Sequence, residues 1–406
     1  MGYFKDTLKG VGWMTALRGV TRGLAVVKIA ILARILSPSQ FGIYGIALLV
    51  LGFLEVLTET GINVFLIQEK DDTRKYLDSA WVVSIIRGVL ISLIILLCIP
   101  LVISFFHTPQ VKDLLFLVAG VALVRGFINP MEVIFQKNLQ FKKEFLFQGF
   151  LFFVDASVAV FVGFLTKSEA SMIVSMLTAA IIEVVLSFVI FKDRPHLSFD
   201  KEKFLKVINR GKWITGAGVF SYAFQNIDNV VVGKFLGTTS LGFYQQAYSI
   251  STLPVSEVGQ IFNKVTFPVY VRLSGERTRL RNAFIKTAGV ILFLVCIFGL
   301  VIFVFSKPLI LIFLGQRWLT IEPVLKILAI FGILKSLLNF SYSVFLALKM
   351  QKVVMLSEFF GILGMGIAIY PMVMKYGIVG AGYSTIIAFA CSLPVVVIYL
   401  FKIFKE

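Results

Sequence analysis

Charge is scarce in this chain of 406 residues: 15% are Asp, Glu, Lys or Arg, against roughly 25% in an average soluble domain. That deficit excludes a disordered chain and an ordinary soluble enzyme. Acids are scarcer than bases, 22 against 39. Cysteine is nearly absent. Cys98, Cys296 and Cys391 all lie inside apolar runs, which excludes a disulfide framework and a thiolate metal site. The two histidines, His107 and His196, fall in connecting segments and are too few for a metal cluster. No cleavable leader is expected, because Lys5 and Lys9 precede a long run carrying Arg18 and Arg22 rather than a short apolar core.

What is abundant is apolar surface. Hydrophobic residues make up 58% of the chain, Phe alone contributes 41 residues, and the mean hydropathy is +0.92. Such a chain has lipid as its main solvent. Windows of about twenty residues predict twelve helices, at 12–36, 41–68, 79–105, 112–135, 145–166, 170–191, 211–236, 241–268, 284–306, 322–348, 353–374 and 378–401. The fold class expected is an all-α polytopic membrane protein, with two parallel six-helix lobes around a central cavity. The basic, partly amphipathic segment 192–210 separates an N-terminal lobe (1–191) from a C-terminal lobe (211–406).

The surplus of basic residues orients the protein. With the N-terminus inside, the inner segments hold 24 Lys and Arg residues and the outer connections five, namely Lys112, Lys167, Lys307, Arg317 and Lys375. Basic residues favour the cytoplasmic side, so both termini are expected there. Trp13, Trp81, Trp213 and Trp318 sit at predicted helix ends, where aromatic rings favour the headgroup zone. A nucleic-acid interface would need a soluble basic face, and none is apparent.

The two halves carry a weak repeat. An offset of 200 pairs Trp13 with Trp213, Thr15 with Thr215, Leu36 with Leu236, Gly42 with Gly242, Tyr44 with Tyr244 and Asn63 with Asn263. The match falls on the first two helices of each half. Six helices per half is an even number, so both halves enter the membrane in the same sense. Parallel repeats of this kind are a transporter architecture.

Ten basic residues remain inside predicted helices: Arg18, Arg22, Lys28, Arg34, Arg87, Arg125, Lys234, Lys264, Lys326 and Lys335. A charge at mid-membrane costs roughly 2.5–3.5 kcal/mol on insertion scales. Arg34, Arg87 and Lys234, near helix ends, are expected to snorkel, as could Lys264. Arg18 and Arg22 lie four apart on one helix face, and Glu55 and Glu59 do so on the next helix. Counted from a turn at Pro38, the two pairs fall at matching depths. They could be buried bridges that fix a hairpin, or the wall of a cavity that binds an anion. Gly218, Tyr222 and Asp228 oppose Arg18, Arg22 and Lys28 in the second half, so the cations concentrate in the first. Guanidinium groups suit bidentate contact with phosphate or carboxylate.

The acids Glu55, Glu59, Asp155, Glu183, Asp228, Glu257 and Glu358 are also intramembrane. Asp155 or Glu183 could partner Arg125 or hold a coupling H+ or Na+. Asn226, Asp228 and Asn229 form a polar knot suited to interhelical hydrogen bonding, or alternatively to a cation. Lys326 and Lys335 are candidates for a cationic lining in the second half, and Pro254 for a bend or gate.

Four segments carry a family likeness: LARILSPSQFGIYGIA (32–47), NPMEVIFQKNLQFKKEF (129–145), DNVVVGKFLGTTSLGFYQQAYSISTLPVSEVGQIFNKVTFPVYVRL (228–273) and LGQRWLTIEPVLKILAIFGIL (314–334). The chain resembles Wzx-type polysaccharide flippases of the multidrug/oligosaccharidyl-lipid/polysaccharide exporter superfamily, above all the colanic and teichuronic acid exporter type. The resemblance implies a non-enzymatic flippase of the bacterial inner membrane that moves a polyprenyl-diphosphate-linked oligosaccharide outward by alternating access. It further implies contact with membrane lipids, and with polysaccharide polymerase and chain-length machinery. Arg18, Arg22, Lys28, Arg125 and Lys335 are then the candidate substrate contacts. Glu55, Glu59, Asp155, Glu183 and Asp228 are candidates for ion coupling or structural pairing. No catalytic residue, metal site or cofactor is expected beyond a coupling H+ or Na+. The alternatives are a multidrug or cation antiporter of the same superfamily, which would want an acidic, aromatic-lined cavity, and an integral membrane glycan-processing enzyme, which would need long outer loops.

Overall fold

The architecture is that of a computed structural model in which residues 2–59, 62, 66, 74–191, 193–198 and 201–405 are described. Asn63 and the side chains of Lys5, Lys9, Trp213, Pro254, Asn263 and Lys264 lie outside the described residues.

All the regular structure described is helical. In chain order it comprises α1 (Gly2–Ile35), α2 (Pro38–Leu57), α3 (Arg74–Phe106), α4 (Val111–Arg125), α5 (Ile134–Lys137), α6 (Phe141–Thr166), α7 (Ala170–Ile190), α8 (Lys201–Arg272), α9 (Arg277–Val304), α10 (Ser306–Phe313), α11 (Glu322–Ala347) and α12 (Gln351–Lys405). Two 3-10 turns, Pro130–Val133 and Gln316–Ile321, precede α5 and α11. Glycine breaks the two longest helices. Gly237 (φ +80) divides α8 and Gly377 (φ +61) divides α12, where a side chain would meet left-handed backbone strain. Each break falls between two spans read from the sequence.

Among the described residues six helices combine sufficient length with sufficient apolarity to cross a membrane: α2, α6, α7, α9, α12 and, from Tyr76 onward, α3. Twelve spans were expected. Of these, α12, divided at Gly377, covers two, and α4, at 15 residues, is shorter than a bilayer crossing requires.

Local chemistry sets the helix ends. Ser37 caps α2: its Oγ accepts from Gln40 N at 3.3 Å, and Gln40 Oε1 accepts from Ser37 N at 2.8 Å. This reciprocal pair satisfies two donors left over at a helix start, and Pro38 opens the first turn. The same Gln40 donates through Nε2 to Lys167 O and Glu169 Oε2, both at 2.9 Å. One amide therefore ties the start of α2 to the α6–α7 turn. α4 stops at Arg125, ten residues short of the expected 135. Asn129 then caps the 3-10 turn, its Oδ1 accepting from Met131 N at 3.0 Å, and Pro130 cannot donate within a helix.

The chain forms two compact units, Met1–Asn226 and Ile227–Glu406, which divide within α8. In the first, α1 lies along α6, α6 along α7, and α4 against α2, α3 and α7. α3 and α4 approach so closely that a Cβ on Gly88 would lie 2.8 Å from Ala122 O and 2.9 Å from Gly126 Cα. Small residues at a helix crossing allow this contact. Tyr222 belongs to this unit also, donating to Leu49 O at 2.9 Å.

In the second unit α11 packs against α9 and α12, over a core of Tyr270, Leu280, Ile291, Val295, Phe340 and Val344. Trp318 is fully buried there, edge-on to Phe243 at 5.7 Å. Its ring thus packs against protein at the turn that precedes α11. Trp81 donates from Nε1 to Phe127 O at 3.1 Å, and Trp13 lies beside Phe145 with Lys142 over its ring.

Candidate functional site

The cations of α1 lie in different surroundings. Arg18 is half-buried and Arg22, one turn on, is exposed. Lys28 pairs with Asp155 on α6, Nζ to Oδ2 at 2.5 Å, and the other Asp155 oxygen accepts from Ser175 Oγ on α7 at 2.7 Å. Both charged side chains are largely shielded, at 14% and 16% exposure. A single carboxylate thereby joins α1, α6 and α7. Asp155 had been a candidate partner for Arg125, but its partner is Lys28.

Arg125, at the end of α4, reaches Glu55 on α2 instead, Nη1 to Oε1 at 2.9 Å. Arg87 on α3 secures the same stretch of α2. It donates from Nη2 to Glu55 O at 2.7 Å and from Nε to Thr58 Oγ1 at 3.2 Å. The snorkelling expected of Arg87 is therefore replaced by an inward role, since carbonyls at the end of α2 lack helical partners and a guanidinium can satisfy several acceptors at once.

Around these two arginines the first unit encloses a cavity of about 450 Å³. Glu55 and Glu59 contribute from α2, Glu144 from α6, Glu183 from α7 and Glu132 from the 3-10 turn. Ser84, Asn129, Gln136 and Gln148 add polar groups, and Ile91, Phe135 and Phe147 an apolar side. Five carboxylates thus face two guanidinium groups. Of the candidate substrate contacts Arg125 lines this cavity, while Arg18, Arg22, Lys28 and Lys335 do not. Gln136 Nε2 donates to Glu144 Oε1 at 2.7 Å. Burial and the nearby Glu183 carboxylate push the Glu132 carboxyl up to about 9.

Glu132, Glu144 and Arg87 were not singled out as site residues from the sequence. For Glu132 a signal existed. The Asn129-Pro130 dipeptide marks a turn, and it places the acid outside the spanning helix.

The second unit holds Asp228, Asn229 and Lys335. Asp228 is buried, accepting from Tyr244 OH at 2.8 Å and from Asn229 N at 2.8 Å. Lys335 Nζ lies 3.0 Å from Tyr248 OH and faces the rings of Tyr248 and Phe331 at 5.6 and 5.7 Å. Lys326 pairs with Glu322 one turn away at 2.8 Å. Among the described residues no group of three or more His, Cys, Asp or Glu could hold a metal ion.

Comparison with known proteins finds a family described as polysaccharide biosynthesis protein, whose model matches residues 31–323. A membrane protein from the cps region of Klebsiella pneumoniae is 25% identical, over 98% of this chain and 82% of its own length. The teichuronic acid biosynthesis protein TuaB of Bacillus subtilis is 25% identical, with 84% of this chain and 71% of TuaB covered. The lipopolysaccharide biosynthesis protein WzxC of Escherichia coli is 23% identical, with 84% and 69% covered. Among solved structures, the lipid II flippase MurJ in an inward closed conformation superposes with a TM-score of 0.76 at 18% identity, covering 96% of this chain and 88% of that one. An inward-facing multidrug resistance MATE family transporter gives 0.72 at 14% identity, covering 95% and 94%. The fold is that of polytopic, all-helical transporters.

Proposed function

Because the chain belongs to the polysaccharide biosynthesis protein family, we propose that it is a flippase carrying an oligosaccharide on a polyprenyl diphosphate from the cytoplasmic to the outer leaflet by alternating access. The role is transport, not catalysis. The observation that carries this reading is the family match across residues 31–323, to which the fold shared with a lipid II flippase adds support.

Arg18 and Arg22 are the groups best suited to the diphosphate. They lie a turn apart on α1, and Arg22 is exposed, so two planar guanidinium groups could grip adjacent phosphates. Lys28 and Arg125, tied to Asp155 and Glu55, act by holding helices together. Lys335, set among Tyr248 and Phe331, offers a cation beside aromatic faces for an acidic sugar. The protein resides in the bacterial inner membrane with both termini cytoplasmic, coupled to H+ or Na+, and hands its glycan to polymerase and chain-length machinery.

The deciding experiment is chemical. Deletion of the gene should cause one lipid-linked glycan to accumulate on the cytoplasmic side, and re-expression should clear it. Unchanged lipid-linked glycans on deletion would reject the reading.

A further inference from the structure

The carboxylate-rich cavity of the first unit contains two oxygens with no hydrogen-bond partner, Glu132 Oε1 and Glu144 Oε2, both fully shielded. Glu144 as a whole is only 7% exposed. A buried oxygen that carries charge but meets no donor is among the costliest arrangements in a protein, and neutralisation is the ordinary escape. The described cations of the cavity are committed elsewhere, Arg125 to the Glu55 carboxylate and Arg87 to Glu55 O and Thr58 Oγ1. The other charged groups around Glu132 are acids: Glu55 and Glu59 from α2, Glu144 from α6 and Glu183 from α7. A metal ion is disfavoured by the absence of any triad of suitable ligands among the described residues.

We propose that this cavity is a proton-binding site, in which Glu132 takes up the proton and Glu183 is the neighbouring charge that favours its uptake. The 3-10 turn Pro130–Val133 presents Glu132 to the cavity from outside the spanning helices. Enclosed as observed, the carboxyl is pushed up to about 9, against 4.5 in its ordinary state. Hydration of the cavity returns it toward that ordinary value. The enclosed form therefore holds one proton more than the hydrated form between those two pH values. For a carboxyl raised in this way, the preference for the enclosed form is complete below pH 4.5 and is lost as pH rises toward about 9, becoming tenfold weaker with each unit, or about 1.4 kcal/mol. Closing the cavity takes up a proton and opening it releases one. The site stands independently of the identity of the glycan.

Infrared spectroscopy of the purified full-length chain tests this directly, because a protonated carboxyl has a carbonyl stretch that an ionised one lacks. A protonated band should persist above neutral pH, lose the intensity of one carboxyl on titration toward about pH 9, and be weaker by that same amount in Glu132→Gln, an isosteric change that preserves the neutral shape. In Glu183→Gln the band should remain but titrate at lower pH, since the facing charge has gone. A band of full intensity in Glu132→Gln overturns the assignment, and so does the absence of any protonated carboxyl at neutral pH in the wild type. An unmoved midpoint in Glu183→Gln removes the role given to Glu183.

Discussion

Arg125 Nη1 and Glu55 Oε1 stand 2.9 Å apart and join the end of α4 to α2 beside the carboxylate-rich cavity. Their side chains remain 40% and 36% exposed, so solvent screens the pair. Arg125→Ala should lower thermal stability by less than about 1 kcal/mol, measured by unfolding in detergent. A loss several times larger would show that the guanidinium carries a load beyond this contact.

Lys28 and Asp155 should behave differently, because both are shielded and Asp155 also accepts from Ser175. Lys28→Ala leaves a shielded carboxylate without its cation, at a cost of about 3–5 kcal/mol. Export and accumulation should fall together. Lys28→Asp combined with Asp155→Lys should recover part of the accumulation. If Lys28→Ala instead accumulates normally but fails to export, Lys28 belongs to the substrate path.

Arg22→Ala should abolish export while the protein inserts and accumulates normally. Export assays on membranes with matched protein levels decide the matter, and full export would remove Arg22 from the substrate contacts.

Gly88→Leu should disrupt the first unit. The Cβ alone would lie within 3 Å of Ala122 O and Gly126 Cα, and backbone cannot yield as a side chain does. Overpacking typically costs about 1–3 kcal/mol, and a branched chain against backbone belongs at the upper end. The expected readout is reduced accumulation and a lower unfolding temperature, with Gly149→Ala, where a Cβ meets nothing within 4 Å, unaffected.

Much of this fold was legible because lipid imposes long apolar helices, and the breaks at Gly237 and Gly377 fall between spans read from apolar windows. The Ser37–Gln40 cap likewise lies within a segment whose family likeness was apparent. The site was less legible. Sequence spacing placed Glu55 opposite Arg22 by depth alone, yet depth does not specify azimuth, and α1 turns toward α6 while Glu55 meets Arg125 from α4. The apolar run after residue 111 also concealed the end of α4, so Glu132 seemed to lie on a helix. Charges inside a membrane advertise their importance, but their partners depend on which helices become neighbours, and local sequence does not encode that.

Gln40 carries a consequence for movement. One side chain caps α2 and fastens it to the α6–α7 turn through Lys167 and Glu169, while the far ends of α2 and α7 flank the hollow that holds Glu55 and Glu183. Within the first unit the bundle is sutured at the end where Gln40 lies. A suture at that end leaves rearrangement within the first unit to the opposite end, where α2 and α7 carry Glu55 and Glu183.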